Sequence, residues 1–282
     1  VQVVSGKRKL HDYLDFVTAY YDDENYISSS SLGHNLYSLY TLVHKEKFSD
    51  EIRQHTINFL GTIFDRLGWD KKKDELHTDS LLRSFAIVGM GKLGDKEIIL
   101  EAESRFKKYL KNNNSLSADL QDAVFTLVAW NGTEALHKKF VSLFKKANSQ
   151  EEKLRFLGAM CGFKQKKLLL KTLEFTLGPD VRSQNIQLPI MRINSNIFAK
   201  EFMWQWLKKN WKKIHKKAGT GNPLLKRVVE SIGHVVISTQ EKEVRKFFKD
   251  NPVHGTEMAL EQTLERVRIS SRFLESIRKE FS

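Results

Sequence analysis

The sequence predicts an all-α protein: an α-α superhelix of antiparallel helix pairs, of the HEAT or armadillo type. Three observations carry this. Apolar residues recur close to every 3.6 residues along nearly the whole chain, and no segment sustains a period of two. Turn formers are scarce, with 4 Pro and 15 Gly in 282 residues, whereas an all-β chain needs a turn about every 10 residues. Helices of about 12–18 residues follow one another through short links, so a two-helix unit returns every ~35–40 residues, the period of such solenoids. Identity between units is poor, so the repeat is structural rather than literal. No linker rich in Pro, Gly or Ser interrupts the pattern, and residues 1–282 read as a single helical-repeat domain.

Taken in order, the stripes are these. Ile52, Thr56, Phe59, Ile63 and Leu67 share one helical face, as do Ile98, Ala102, Phe106 and Tyr109 in a later segment. Leu120, Val124, Leu127 and Val128 follow, then Leu136, Phe140, Leu143 and Phe144, then Leu154, Leu157 and Cys161. Leu168, Leu169, Leu173 and Leu177 precede a wide aromatic face of Met203, Trp206, Leu207 and Trp211. Val244, Phe247 and Phe248 mark a shorter helix, and Met258, Thr263, Leu264, Val267, Phe273, Leu274 and Ile277 mark the last. Small polar residues stand where helices should begin: the serines at 28–31, Ser49, Asp95, Ser117, Ser149, and Ser238 or Thr239. Gly68, Gly132 and Gly178 stand where helices should end.

The stretch GMGKLG imitates a nucleotide-binding fingerprint, because Gly89, Gly91 and Gly94 are spaced G-x-G-x-x-G. That fingerprint follows a strand. Here Leu81, Leu82, Phe85, Ala86 and Val88 precede it at helical spacing. The glycines are therefore expected to end one helix and turn the chain into its neighbour, with Asp95 capping the next.

Composition narrows the function classes. A single cysteine, Cys161, excludes an intramolecular disulfide, and its apolar surroundings predict a buried structural thiol; a reducing compartment is compatible with this. No apolar run approaches the ~18 residues of a membrane span, and the start, VQVVSGKRKL, has neither a methionine nor a signal-peptide core. The net charge is +13, which favours acidic partners. Its densest run is LKKNWKKIHKK at 207–217, where Leu207, Trp211, Ile214 and Ala218 share a face with lysines around it. A solvated face with lysine stems lying along apolar surface is the favoured reading, and nucleic acid is disfavoured as a partner.

No catalytic constellation appears. The nine histidines, His11, His34, His44, His55, His77, His137, His215, His234 and His254, include no H-E-x-x-H pair, and there is no cysteine cluster, P-loop or G-x-S-x-G elbow. Asp22, Asp23 and Glu24 lack the alternate spacing and glycine of a calcium loop and read as a solvated helix end.

An ordered series of segments resembles the C-terminal helical domain of the gluzincin zinc aminopeptidases. It comprises DENYISSSSLGHNLYSL, the "LGW…H…LLR" region within RLGWDKKKDELHTDSLLRSFAIVGMGKLGDKE, LSADLQDAVF, QEEKLRFLGAM, LGPDVRSQNI, the tryptophan-rich FMWQWLKKNWKKI and the final ALEQTLERVRISSRFLE. The resemblance covers nearly the whole chain. It implies a domain that encloses substrate, limits access to the catalytic cleft and touches the distal end of the peptide, without catalysis of its own. The catalytic metal would lie outside this chain: no cofactor is expected here, and zinc is expected in a catalytic domain that the chain lacks, along with the first helices of its own domain. GAMCG at 158–162 is not the family's G-A-M-E-N substrate motif; it is expected within a helix and has no acid to hold a substrate amine. In some members a basic residue holds the peptide's C-terminal carboxylate. The matching stretch LPIMRINSN, expected as a loop between helices, offers Arg192 with Asn194 beside it, and a structural arginine on helix-end carbonyls is the competing reading. Arg182, in DVRSQN, is expected to cap and to contact a neighbouring domain. The expected partners are a peptide substrate and the catalytic domain, in the cytoplasm and without a membrane. The alternative is a free-standing helical scaffold that binds protein or nucleic acid through a basic concave face.

Overall fold

A computed structural model describes residues 3–4, 7–219, 224–253 and 255–281. Among them the regular structure is helical, with no strand. The chain divides into two compact units, residues 1–128 with 273–282, and residues 129–272.

The first unit holds α1 (Leu10–Thr18), α2 (Tyr26–Val43), α3 (Ser49–Leu67), α4 (His77–Leu93), α5 (Lys96–Lys111) and most of α6 (Ala118–Trp130). Every member of the predicted α3, α5 and α6 stripes is buried, among them Ile52, Phe59, Ala102, Phe106, Val124 and Leu127. Burial of such apolar faces is the main favourable term in folding. Asp95 caps α5 as expected, its carboxylate accepting from the Ile98 N–H at 3.0 Å. Two other expected caps are displaced. Asn25 caps α2 by accepting from Ile27 and Ser28, so the serines at 28–31 lie inside that helix. Ser49 is the first residue of α3 and not its cap, which is Phe48 with no side-chain bond.

The GMGKLG stretch is corrected in part. Gly89 and Gly91 lie inside α4, and only Gly94 ends it, with φ of 101° and its N–H on the Met90 and Gly91 carbonyls. The two inner glycines serve close approach instead. A Cβ on Gly91 would stand 2.5 Å from Leu127 Cδ2 and 2.8 Å from its Cδ1, and one on Gly89 would overlap Leu60 Cδ1. Arg83, also on α4, is 2% exposed and reaches back to the end of α3, donating to the carbonyls of Gly68 at 3.1 Å and Leu67 at 3.3 Å while clamping Glu75. That explains the spacing of the "LGW…LLR" region: the arginine bonds the carbonyls of the leucine and glycine that open it.

The second unit holds α7 (Glu134–Lys146), α8 (Gln150–Met160), α9 (Lys166–Leu177), α10 (Gln187–Asn194), α11 (Met203–Ala218), α12 (Leu224–Ser231), α13 (Glu241–Asp250) and α14 (Glu257–Glu280) up to residue 272. Ser149 and Glu152 form a reciprocal capping box on α8, as expected for Ser149. Ser238 and Thr239 do not cap α13 directly; with Gln240 they form a 3-10 turn ahead of it. On α7 the buried face turns toward His137, Phe140 and Phe144, and Leu136 and Leu143 are only partly covered. Trp204, not Trp206, joins Trp211 in the core, both edge-on to Phe247 and Phe248 or tilted against them.

Polar bonds record the repeat in both units. Ser84 bonds Asp119 O and Arg105 bonds Asp70, each 35 residues away; Arg53 bonds Leu93 O, 40 away. In the second unit Gln165 reaches Gly132 O over 33 residues, His137 meets Thr172 over 35, Asn194 meets Ser231 over 37 and Lys217 meets Gly178 O over 39. These separations fall in or near the expected period of ~35–40 residues.

Candidate functional site

Arg192 is placed by α10, in the sequence QLPIMRIN. Pro189 sits in the first turn, where a missing N–H costs nothing. Pro189, Ile190, Ile193 and Asn194 are buried, which leaves Arg192 on the opposite, exposed side of the last turn. The stretch is therefore helix, where a loop was expected: the 3.6 period of its apolar residues outweighs a proline that the first turn tolerates.

The guanidinium rests on Gly158, in the last turn of α8. A Cβ at that position would overlap Nη1 and stand 2.9 Å from Cζ and 3.5 Å from Nη2. Only a residue without a side chain leaves that seat open. Among the described residues Arg192 makes no ion pair or hydrogen bond. A helix-end carbonyl ligand, the competing expectation, is not what the geometry shows. An exposed guanidinium with one face on backbone can offer two parallel N–H donors to a carboxylate.

Asn194 needs correction as its companion. The side chain is fully buried, and its Nδ2 donates to Ser231 Oγ at 2.7 Å while that hydroxyl donates to Val228 O at 2.7 Å. Two positions along a helix turn the side chain by about 200°, which carries one residue outward and the other into the core. Asn194 is a core bond between α10 and α12. Asn196 does similar work, donating to the carbonyls of Cys161 at 3.1 Å and Phe163 at 2.9 Å.

GAMCG ends α8 rather than lying within it: Met160 is the last helical residue and Cys161 the C-cap. Burial pushes the Cys161 thiol up to about 12, against a smaller opposing effect of Arg192, and its Sγ bonds Leu157 O at 3.2 Å. A thiol so protonated is not a nucleophile. Arg182 precedes a 3-10 turn and makes no side-chain capping bond. Asp23 accepts from Ser28 Oγ and from the Asn25 N–H at 2.9 Å, so the acidic cluster is built into the α1–α2 turn. His254 lies outside the described residues. Among those described, no three His, Cys, Asp or Glu side chains converge as a metal site. No helix of the described residues is long and apolar enough to cross a membrane.

Both units are built of helices joined by short links, and comparison defines the family. The family model of the ERAP1-like C-terminal domain matches residues 2–269, and the chain belongs to that family. Relatives include aminopeptidase M1-D of Oryza sativa subsp. japonica, 32% identical over 292 residues, covering 98% of this chain and 32% of the relative. Aminopeptidase M1-B of the same plant is 30% identical over 287 residues, with the same two shares. Aminopeptidase 2, mitochondrial, of Saccharomyces cerevisiae is 23% identical over 275 residues, 96% of this chain and 29% of the relative. The chain thus spans about a third of the length of the curated relatives it matches.

Proposed function

We propose that this chain is the substrate-enclosing, regulatory C-terminal domain of a zinc metallo-aminopeptidase, acting in the cytoplasm. It limits access to a catalytic site carried by another part of the parent protein, and Arg192 contacts the distal carboxylate of the peptide. It does no chemistry itself. The observation that carries this reading is Arg192, exposed, unpaired among the described residues and seated on Gly158. The family match and the aminopeptidase names of the relatives support the enzyme class.

The test uses the full-length protein with Arg192→Ala and a series of peptides of increasing length. A charge-assisted bond to a carboxylate contributes about 1.5–3 kcal/mol, so kcat/KM for long free-acid peptides should fall about tenfold or more. A one-residue aminoacyl fluorogenic substrate should be cleaved as before. An unchanged length dependence contradicts the carboxylate role. The isolated 282-residue chain should cleave no aminoacyl substrate, with or without added zinc, and turnover that survives repurification contradicts the non-catalytic reading.

A further inference from the structure

The solvent face of α11 carries a charge pattern that the described residues leave unanswered. The helix contains Lys208, Lys209, Lys212, Lys213, Lys216 and Lys217 and no acidic residue. Two of these lysines have internal duties: Lys208 pairs with Glu243 on α13, and Lys217 bonds Gly178 O. The other four, Lys209, Lys212, Lys213 and Lys216, are exposed and make no ion pair or hydrogen bond among the described residues. Their spacing is i, i+3, i+4, i+7, a single stripe about 10 Å long. Like charges so placed repel within a Debye length and weaken the helix. Asp250, at the end of nearby α13, forms no ion pair with them.

An open groove of about 290 Å³ runs beside the stripe, lined by Trp211, Lys212, His215, Lys216, Asn251 and Pro252. It joins α11 to the turn between α13 and α14; its exposed apolar surface is chiefly Pro252, over the nearly covered edge of Trp211, and two of the four free lysines border it.

We propose that this face docks an acidic polypeptide segment, with Asp or Glu side chains on the lysine stripe and an apolar side chain in the groove. Charge complementarity selects an acidic partner. The groove selects a polypeptide over a nucleic acid. Trp211 is 3% exposed and its ring is flanked edge-on by Phe247 and Phe248, so no open ring face remains for a base to stack on. The stripe also contains no arginine, the residue suited to bidentate recognition of phosphates and base edges. The inference rests on α11 and its groove alone and does not depend on the role of Arg192.

The experiment measures fluorescence anisotropy of a labelled twelve-residue peptide of Glu with two Leu, titrated with the 282-residue chain at low salt. A DNA duplex and a single strand of matched net charge are run alongside. The expected result is saturable peptide binding, weakened at least about tenfold by Lys212→Glu with Lys216→Glu. Lys138→Glu with Lys139→Glu, exposed lysines on α7 that carry the same change in net charge, should leave it intact. Absence of peptide binding, an equal loss in the α7 variant, or tighter binding of either DNA than of the peptide overturns the proposal. Circular dichroism checks the fold of each variant. If the charge reversal unfolds the chain, Lys212→Gln with Lys216→Gln replaces it and should still weaken the peptide several-fold; unchanged binding counts against the docking face.

Discussion

Arg83 and Arg192 are both arginines on the helices of a repeat, and they are held in opposite ways. Arg83, in the first unit, is 2% exposed and its Nε and Nη2 are both bonded: Glu75 on one side, the carbonyls of Leu67 and Gly68 on the other. Arg192, in the second unit, is exposed and answered by nothing among the described residues except the bare backbone of Gly158. The glycines repeat the contrast. Gly91 and Gly89 open α4 to leucines that have no other place to go, since Leu127 and Leu60 are 1% and 0% exposed. Gly158 opens α8 to a charged group that water would accept equally well. A buried arginine bonded to a carboxylate and two carbonyls serves the fold. An exposed one, given a shaped seat and no partner, is free to serve a ligand.

The largest effect expected from breaking this contrast is at Arg83. Arg83→Ala leaves a largely buried carboxylate and two carbonyls without their donor, and loss of one member of a buried pair costs about 3–5 kcal/mol. Urea denaturation should show it as a lower midpoint. Arg192→Ala should change the unfolding free energy from the same titration by less than about 0.5 kcal/mol, as for other surface substitutions; a loss near that of Arg83 would make Arg192 structural. Next in size is Gly91→Ala. Its methyl group meets a packed leucine, and overpacking by one methyl costs about 1–3 kcal/mol. Gly158→Ala should act with the opposite sign. Here the clash is with the mobile end of an exposed side chain, and alanine favours helix over glycine by up to about 1 kcal/mol, so stability should hold or rise slightly. A melt showing both alanine variants equally destabilised would erase the distinction.

The smallest expected effect concerns pH. Burial, with Lys171 adding to it, holds His137 below its ordinary value of 6.5. Its Nε2 lies 3.0 Å from Thr172 Oγ1, and that hydroxyl bonds the Met160 and Leu168 carbonyls, so the neutral ring donates to Thr172. A group depressed in this way stabilises the fold above pH 6.5 and progressively less as pH falls below it, because the unfolded chain takes up the proton first. His234 is also held below its ordinary value, by desolvation and by Lys200 and Arg266, but it is exposed and solvent screening makes its part in this window smaller. The difference in denaturation midpoint between about pH 7.5 and 5.5 should therefore shrink in His137→Gln without vanishing. An unchanged difference would remove His137 from the account.

Much of this was legible from residue patterns alone. The apolar period gave the helices, and its return gave the repeat that the 33–40-residue bonds display. Arg192 is singled out only by resemblance, and its stretch is helix where a loop was expected. What the sequence hid was direction. Nothing in RIN says that its arginine faces out and its asparagine in; that depends on which side α12 and Ser231 occupy. Met258 illustrates the same limit, since it fits the apolar stripe of α14 yet is 74% exposed. Gly158 did leave a signal: a glycine, an alanine and a second glycine within five residues near a helix end suggest close approach of another chain segment. The pairing of His137 with Thr172 left none, because it spans two helices whose register only packing decides.

The central claim is that the seat at Gly158 exists to aim Arg192 at the end of a peptide. The direct measurement is kcat/KM of the full-length protein, with and without Gly158→Ala, on one nonapeptide carrying either a free C-terminal carboxylate or an amide. Displacing the guanidinium without removing it should reduce the preference for the free acid several-fold, with cleavage of a one-residue substrate unchanged. A preference for the free acid that survives the substitution intact would contradict the claim.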